Sequence, residues 1–391
     1  MEKVVIFGAG VWGNTAYHYC KNKYEVIAYV DNNPNIWNTF LNGIPVKSPD
    51  FLFENKVMVV LANLKYEKSI KEQLLKEYGI EYILKFSIVS GLEETREPDQ
   101  GEIGERELIV SYYGGLGNQM FIYALYRFLQ SKGKNVRADL LSYYTVNSRD
   151  FVLTKVFPNT NICRAHSHNI KKYRMMAPYM EHEIGFQYYI EPSVMGGVKS
   201  FADERLMDNN LEWGYLQGYF QTKVFAQEIE DILRREYTFG ETEDARLQEI
   251  VWALRTKNAV AVHIRRGDYL DAARMYGGIC TEEYYQEAMR VIKEKVEKPI
   301  FYFFSNDIEW VKDNFCEEDA VYIESQMFDD YQDWYDMYLT SECKHNIIAN
   351  SSFSWWGAWL NQNKNKIVIA PKRWVNADSM EDIYLEEWMR I

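Results

Sequence analysis

The stretch His263-Ile-Arg-Arg-Gly-Asp268 follows the apolar run Ala259-Val-Ala-Val262. A short run of small and β-branched residues predicts a buried strand, so the polar residues come at the carboxyl end of that strand. Arg265 and Arg266 carry planar, permanently charged guanidinium groups that bind phosphate oxygens in a bidentate way. The stretch therefore predicts a diphosphate-binding strand end. A surface ion pair between an arginine and Asp268 is the alternative.

Predicted strands and helices alternate from Asn258 to the end of the chain. Such alternation predicts right-handed βαβ crossovers, a parallel sheet, and ligands bound at the carboxyl ends of the strands. Polar residues follow three of these strands, as Arg265 and Arg266, Ser305 to Asp307, and Asn350 to Ser354. The predicted strands are 258–264, 300–304, 321–324, 346–349 and 366–370, and the predicted helices are 281–296, 308–315, 331–342 and 353–361.

A glycine-rich stretch, Gly114-Gly-Leu-Gly-Asn118, joins the predicted strand Leu108 to Tyr113 to a predicted helix from Gln119 to Ser131. Its glycines would let backbone N–H groups face a ligand. Asn118 is a residue type suited to cap the helix and to present its amide to a ligand. An ordinary turn is the alternative. Residues 140–250 predict helices near 223–237 and 243–255 and allow no site residue to be assigned.

The chain begins with a second candidate binding unit. Gly8-Ala-Gly-Val-Trp-Gly13 follows a predicted strand and precedes a predicted helix, and Asp31 closes the next strand. In this context Gly8, Gly10 and Gly13 would bring the backbone close to a pyrophosphate, and Asp31 would bind a ribose hydroxyl. Binding of an unidentified nucleotide or coenzyme is one interpretation of this unit. A relic or docking domain is the other.

The segment from Gly91 to Glu107 is acidic and lacks apolar periodicity, which is typical of an exposed linker. We therefore predict four regions. They are an accessory α/β domain at 1–95, a linker at 96–106, an acceptor-side subdomain at 107–250 and a donor-binding subdomain at 251–391.

Composition excludes several classes of protein. The formal net charge of −13 over 391 residues argues against nucleic-acid binding. The sequence has no secretion signal and no apolar run long enough to span a membrane, so we expect a cytoplasmic protein. Peripheral association with a membrane stays open.

Metal binding is not expected. The five cysteines form no Cys-x-x-Cys pair, which indicates reduced thiols rather than a zinc ribbon or a disulfide framework. Cys163, His166 and His168 lack a fourth ligand at sensible spacing, except the distant His182. The chain also has no Asp-x-Asp triplet of the sort that holds a metal-bridged diphosphate.

Four motifs together resemble the α-1,2-fucosyltransferases, which use GDP-fucose, and especially their bacterial members. The motifs occur in family order and cover roughly residues 106–391. They are Gly114-Gly-Leu-Gly-Asn-Gln-Met-Phe121, His263-Ile-Arg-Arg-Gly-Asp-Tyr269, Phe304-Ser-Asn-Asp307 and Cys343-Lys-His-Asn-Ile-Ile-Ala-Asn-Ser-Ser-Phe-Ser-Trp-Trp-Gly-Ala-Trp359. The first unit resembles the nucleotide-binding domain that precedes many sugar-modifying enzymes of bacterial polysaccharide synthesis.

The resemblance implies a GT-B-type pair of Rossmann-like subdomains that moves L-fucose from GDP-β-L-fucose to the 2-hydroxyl of a terminal β-galactoside, with inversion and without a metal. It implies that Arg265 contacts the β-phosphate and that His263 and Asp336 lie near the base and ribose. Asp268 is the candidate base, and Asn118 would orient the reacting groups. The other expected donor-binding residues are Arg266, Asp307, Ser351, Ser352, Ser354, Gly115 and Gly117.

Each assignment has a structural alternative. His263 fits a satisfied core histidine, and the serines from Ser351 to Ser354 fit a helix cap. Asp307 would either orient Arg265 or cap the following helix. Trp355, Trp356 and Trp359 are expected in the core.

Two other functions are alternatives to transfer. An NAD-dependent sugar epimerase or dehydrogenase built on the first unit would need a Tyr-x-x-x-Lys base, and no convincing one occurs before residue 95. A non-catalytic sugar-binding protein would tolerate the loss of Arg265.

Overall fold

The chain forms two compact units in the computed structural model. Unit 1 contains Met1–Glu105, Asp139–Asp150 and Arg164–Met175, and unit 2 contains Arg106–Ala138, Phe151–Cys163 and Met176–Ile391. The predicted boundaries near residues 95, 106 and 250 stay predictions. The structure describes residues 2–21, 23–62, 67–80, 83–85, 106–145, 150–180, 186–191, 204–207, 211–267, 269, 273–316, 320–376 and 381–391. None of the helices in these ranges is long and apolar enough to cross a membrane.

Unit 1 contains a six-stranded sheet in the order β3-β4-β2-β1-β5-β6, parallel except for the β3–β4 hairpin. Central strand β1 is apolar throughout its buried part because both of its faces are covered. Val4 and Ile6 pack on the side of α1, and Val5 and Phe7 pack on the side of α2 and α3. The elements are β1 (Glu2–Phe7), α1 (Val11–Cys20), β2 (Tyr24–Val30), β3 (Phe40–Leu41), β4 (Ile44–Lys47), α2 (Phe51–Glu54), β5 (Met58–Leu61), α3 (Glu67–Lys76) and β6 (Ile83–Lys85).

The first half of unit 2 has a four-stranded sheet in the order β8-β7-β10-β9. Strand β10 pairs in parallel with both β7 and β9. Its strands are β7 (Leu108–Ser111), β8 (Val136–Asp139), β9 (Phe186–Ile190) and β10 (Trp213–Gln217). The helices along this part of the chain are α4 (Leu116–Ser131), α5 (Leu141–Thr145), α6 (Leu153–Val156), α7 (Ser167–Met180), α8 (Glu204–Met207), α9 (Lys223–Glu228) and α10 (Glu230–Glu236). Of these, α5 and most of α7 belong to unit 1.

The second half of unit 2 is a six-stranded parallel sheet in the order β13-β12-β11-β14-β15-β16. Its strands are β11 (Ala259–Ile264), β12 (Ile300–Ser305), β13 (Val321–Tyr322), β14 (His345–Ile347), β15 (Val368–Ala370) and β16 (Met389–Arg390). Its helices are α11 (Ala245–Thr256), α12 (Ala273–Tyr276), α13 (Glu282–Lys295), α14 (Ile308–Asn314), α15 (Tyr335–Glu342) and α16 (Ser352–Leu360).

Strand β11 lies at the centre of this second sheet, and all six of its residues are buried. Val260 and Val262 pack with α13 and α14, whereas Ala259 and Ala261 pack with α11 and α15. The predicted fold class is confirmed. Unit 1 is a Rossmann-like α/β domain, and unit 2 holds two further α/β halves whose sheets have parallel strands.

Candidate active site

The carboxyl edge of the second sheet brings together the three polar stretches predicted from the sequence. The stretch after β11 contacts the one after β12 where the Arg266 backbone N–H donates to Asn306 Oδ1 at 3.0 Å. It also contacts the stretch after β14, because the Tyr269 hydroxyl donates to the Asn350 carbonyl at 2.9 Å. Neighbouring parallel strands end at the same edge, which is why this convergence follows from the strand order β12-β11-β14.

Arg265 is half-buried at the end of β11. Its guanidinium carbon lies 5.7 Å from the centroid of the Tyr269 ring, which in turn stacks on Tyr276 with a centroid separation of 4.4 Å. A guanidinium held at the rim of a sheet beside an aromatic face is placed to bind an anion.

Arg266 has a different environment. Its Nε lies 3.2 Å from Asp307 Oδ2, and its guanidinium carbon lies 3.7 Å from the Trp310 ring centroid. Asp307 is the N-cap residue of α14 but makes no side-chain capping hydrogen bond, and its side chain pairs with Arg266 rather than with Arg265. Asp307 therefore offsets part of the Arg266 charge.

His263 is 5% exposed, and its Nδ1 lies 2.7 Å from Ser354 Oγ. Burial of the ring, reinforced by the positive charge of Arg265, lowers the pKa of His263 to about 3. The imidazole is therefore neutral at physiological pH. Ser354 is 0% exposed and its hydroxyl faces His263. Its assignment as a phosphate contact stays a prediction. This geometry matches the alternative of a satisfied core histidine.

The depressed pKa of His263 predicts a pH dependence of stability. The unfolded chain takes up a proton near pH 6.5, whereas the folded chain resists protonation until about pH 3. The free energy of unfolding should therefore fall as pH drops through this window, by up to about 1.4 kcal/mol per pH unit. The free energy of unfolding of wild type and of His263→Asn should be measured with urea at about pH 7.5, 6 and 5, which lie above and within that window. Equal pH dependence in both proteins would rule out a neutral folded-state imidazole.

The amino terminus of α16 forms the third part of this edge. Ser351 occupies the N-cap position without a side-chain capping bond, and the first intrahelical bond runs from the Trp355 N–H to the Ser351 carbonyl at 2.9 Å. The backbone N–H groups of residues 352–354 therefore have no acceptor within the helix. With the positive end of the helix dipole they suit an anion. Ser352 is half-buried at this terminus, and Ser351 is buried.

The glycine turn of the first half meets this helix. A Cβ on Gly117 would lie 2.6 Å from Phe353 N and 2.6 Å from the Ser352 carbonyl carbon. Gly117 thus permits close packing of α4 on α16. This packing role was not predicted; the sequence predicted only a glycine that faces a ligand. Helix α4 begins at Leu116 with Gly115 as its N-cap, so the expectation that Asn118 caps it is wrong.

Asn118 lies in the first turn of α4, and its Oδ1 accepts a hydrogen bond from Gln221 Nε2 at 2.8 Å. Gln221 Oε1 accepts in turn from Trp374 Nε1 at 3.2 Å. Neither Gln221 nor Trp374 was predicted. The signal that could have found Gln221 is its place just after β10, a strand whose end faces the same edge as the glycine turn.

Asp336 lies in the first turn of α15. Burial raises the pKa of its carboxyl group to about 7, opposed by a hydrogen bond from Tyr331 and assisted by the charge of Asp333. Its neighbour Tyr335 packs in the core beside Tyr302, on the α11 and α15 side of the sheet. The assignment of Asp336 to the base and ribose of the nucleotide stays a prediction. Asp268, the predicted base, lies outside the described residues.

Backbone geometry requires glycine at two positions of the turn in unit 1. Gly8 has a φ of +110°, and a Cβ on Gly13 would lie 1.8 Å from the Gly8 carbonyl oxygen. Asp31 fastens this turn, since its Oδ2 accepts from the Ala9 N–H and its Oδ1 from the Asn33 N–H, both at 2.8 Å. No neighbour within 4 Å would restrict a Cβ on Gly10. Nucleotide binding at Gly8, Gly10, Gly13 and Asp31 stays a prediction.

Two other features lie outside this edge. A cavity of about 880 Å³ is formed by the segment from Arg234 to Thr242, the end of α15 and residues 360–363. It contains none of the predicted site residues. Across the described parts of the chain, no three histidine, cysteine, aspartate or glutamate side chains converge as metal ligands would.

Parallel α/β halves with an arginine and a helix amino terminus at one carboxyl edge form a site suited to an anionic ligand such as a phosphate. The family model "Glycosyl transferase family 11" matches residues 201–391, and the model "C2185-like, N-terminal" matches residues 1–82. The chain belongs to glycosyl transferase family 11.

Three relatives illustrate the similarity. An Escherichia coli alpha-1,2-colitosyltransferase is 34% identical over 306 residues, which cover 71% of this chain and 96% of the relative. The Escherichia coli O-antigen biosynthesis glycosyltransferase WbnK is 29% identical over 299 residues, which cover 71% of this chain and 98% of the relative. Human galactoside alpha-(1,2)-fucosyltransferase 1 is 25% identical over 189 residues, covering 45% and 52%.

Proposed function

We propose that this enzyme transfers L-fucose from GDP-β-L-fucose to the 2-hydroxyl of a terminal β-galactoside, with inversion, in the cytoplasmic synthesis of a surface polysaccharide. The observation that carries the proposal is the placement of Arg265 and the α16 amino terminus at one strand edge, where a diphosphate would be held. The names of the similar proteins support the α-1,2 linkage and the polysaccharide setting.

In the proposed step, the acceptor oxygen forms a bond to the anomeric carbon while the bond from that carbon to the β-phosphate oxygen breaks. The departing GDP takes the electron pair, and the acceptor proton passes to a base, for which Asp268 is our candidate. Negative charge grows on the β-phosphate. Arg265 and the N–H groups of residues 352–354 would stabilise this charge, because fixed donors need no reorganisation during the reaction.

The identity of the sugar is the first point to test, since the 34% identical relative is named for colitose. Colitose is fucose without its 3-hydroxyl, and a site built to bind that hydroxyl discriminates strongly against the deoxy sugar. Purified enzyme should be assayed with GDP-fucose and GDP-colitose on a panel of β-galactosides. We expect higher kcat/KM with GDP-fucose and an α-1,2 product by linkage analysis. Preference for GDP-colitose would replace fucose in the proposal, and a 3- or 6-linked product would contradict the proposed linkage.

Transfer should also be independent of divalent metal and of any added cofactor. The proposal assigns neutralisation of the departing diphosphate to Arg265 and backbone N–H groups, and the sequence has no Asp-x-Asp triplet. Initial rates in excess EDTA should equal those in Mg²⁺ or Mn²⁺. A loss of activity in EDTA that a divalent ion restores would show that the cationic groups of the protein are not sufficient.

A further inference from the structure

The orientation of the Gln221 side-chain amide is fixed by Trp374, whose indole N–H can act only as a hydrogen-bond donor. Trp374 Nε1 lies 3.2 Å from Gln221 Oε1, and an indole N–H only donates hydrogen bonds. Gln221 must therefore present its oxygen to Trp374. Its NH2 group then faces Asn118 Oδ1 at 2.8 Å.

This arrangement fixes the amide of Asn118 in turn. With Oδ1 facing Gln221, Nδ2 lies on the opposite side, over the glycine turn, where it is the atom that a Cβ on Gly114 would meet at 2.7 Å. No acceptor for this NH2 group occurs among the residues that the structure describes. The preceding residue, Gly117, packs against the α16 amino terminus at Ser352 and Phe353. The NH2 group therefore lies beside the place where the two halves meet.

Trp374 is itself held from the donor side of the site. It is 2% exposed, and its carbonyl accepts from Asn350 Nδ2 at 3.0 Å. The Asn350 carbonyl accepts from the Tyr269 hydroxyl, and the Tyr269 ring lies beside Arg265. A continuous row of contacts thus connects the arginine to the Asn118 amide.

We propose that Gln221, held by Trp374, is a positioning residue that turns the NH2 of Asn118 toward an oxygen of the departing diphosphate. An amide oxygen in that place would repel the anion, whereas an N–H stabilises the charge that develops on it. This inference rests on the proposed transfer from a GDP-sugar.

Gln221→Glu tests the proposal with the smallest change in shape. The glutamate still accepts from Trp374, but it cannot donate to Asn118 Oδ1, so the Asn118 amide should turn over and donate to the carboxylate. We expect kcat to fall on the order of 100-fold, as for the loss of one transition-state donor, with a smaller change in the KM of the acceptor. Asn118→Ala should show a similar loss.

A double-mutant cycle separates positioning from a structural or purely electrostatic role. If Gln221 acts through Asn118, the variant Asn118→Ala/Gln221→Glu should be no slower than Asn118→Ala alone. Additive losses would overturn the proposal. So would a Gln221→Glu enzyme that retains more than about a third of wild-type kcat, because a turned amide would lose the donor entirely.

A second measurement does not depend on which sugar nucleotide the enzyme uses as its donor substrate. The side-chain amide resonances of Asn118, assigned by their absence in Asn118→Ala, should differ between free wild type and free Gln221→Glu. GDP should shift them in wild type but not in the variant. Identical resonances in the two free proteins would overturn the inference. Absence of GDP binding by wild type would instead contradict the proposed function, while the comparison of the free proteins still tests the amide orientation.

Discussion

Arg265→Ala should lower kcat at least 100-fold while the protein remains folded. Removal of one preorganised charge at a developing diphosphate costs on the order of 3 kcal/mol, and each factor of ten corresponds to about 1.4 kcal/mol. Arg265 lies at the end of a strand whose core contacts come from Val260, Val262 and Ile264, so its side chain is not needed for that core. Steady-state rates and circular dichroism of the variant together provide the measurement.

Arg266→Ala is the matched control. The two arginines are adjacent, but Arg266 is paired with Asp307 and lies over Trp310, so its loss should affect local structure and donor KM more than kcat. Arg265→Lys should recover part of the activity, because it keeps the charge without the bidentate geometry. If a folded Arg265→Ala enzyme kept more than about a tenth of wild-type kcat, the diphosphate role would be wrong. The same conclusion would follow if both alanine variants behaved alike.

The order of strands and helices in the second half of unit 2 could be predicted from the sequence. Its two longest strands, Ala259–Ile264 and Ile300–Ser305, are mostly apolar and are followed by polar residues. The short strand Met389–Arg390 lacks an apolar run and was not predicted. In the first half only β7 was predicted, and β8, β9 and β10 were missed because they lack such a run. Trp213–Gln217 contains a glycine and a glutamine, and its burial becomes evident only when β7 and β9 pair with it.

The partners within the site could not be predicted for a different reason. His263 and Ser354 are 91 positions apart, and Gln221 and Trp374 are 153 positions apart. Strand ends indicate which edge of a sheet these residues approach, but the pairing of two side chains depends on tertiary packing. The same limit explains Asp307, whose observed partner is Arg266, one residue beyond the predicted Arg265.

The glycine-rich pattern around Gly117 was recognised in the sequence, but the structural reason for Gly117 was not predicted. Three glycines within four positions predict a turn, so the helix was expected to begin at Gln119. Gly117 instead lies inside α4. A glycine costs helix stability of about 1 kcal/mol relative to alanine, which here is offset by the close approach of α16.

Gly117→Ala should therefore be damaging although alanine is the better helix former. The new methyl carbon would lie 2.6 Å from two backbone atoms of Ser352 and Phe353, which cannot rotate away as a flexible side chain would. The helices α4 and α16 must separate, which should cost roughly 1–3 kcal/mol of stability. Displacement of about 1 Å at the anion-binding amino terminus and at Asn118 should lower kcat/KM about 100-fold.

Gly240→Ala provides the control for this prediction, because the nearest atom to a Cβ there is Pro158 Cγ at 3.4 Å, and no backbone atom lies closer than 3.8 Å. It should leave activity unchanged and raise or maintain stability, since alanine restricts the unfolded chain. The urea midpoint and kcat/KM of both variants should be measured beside wild type. The two losses in Gly117→Ala should appear together, because one displacement causes both. A Gly117→Ala enzyme with near wild-type kcat/KM would show that α16 can shift without consequence, and its amino terminus could then not be the group that holds the diphosphate.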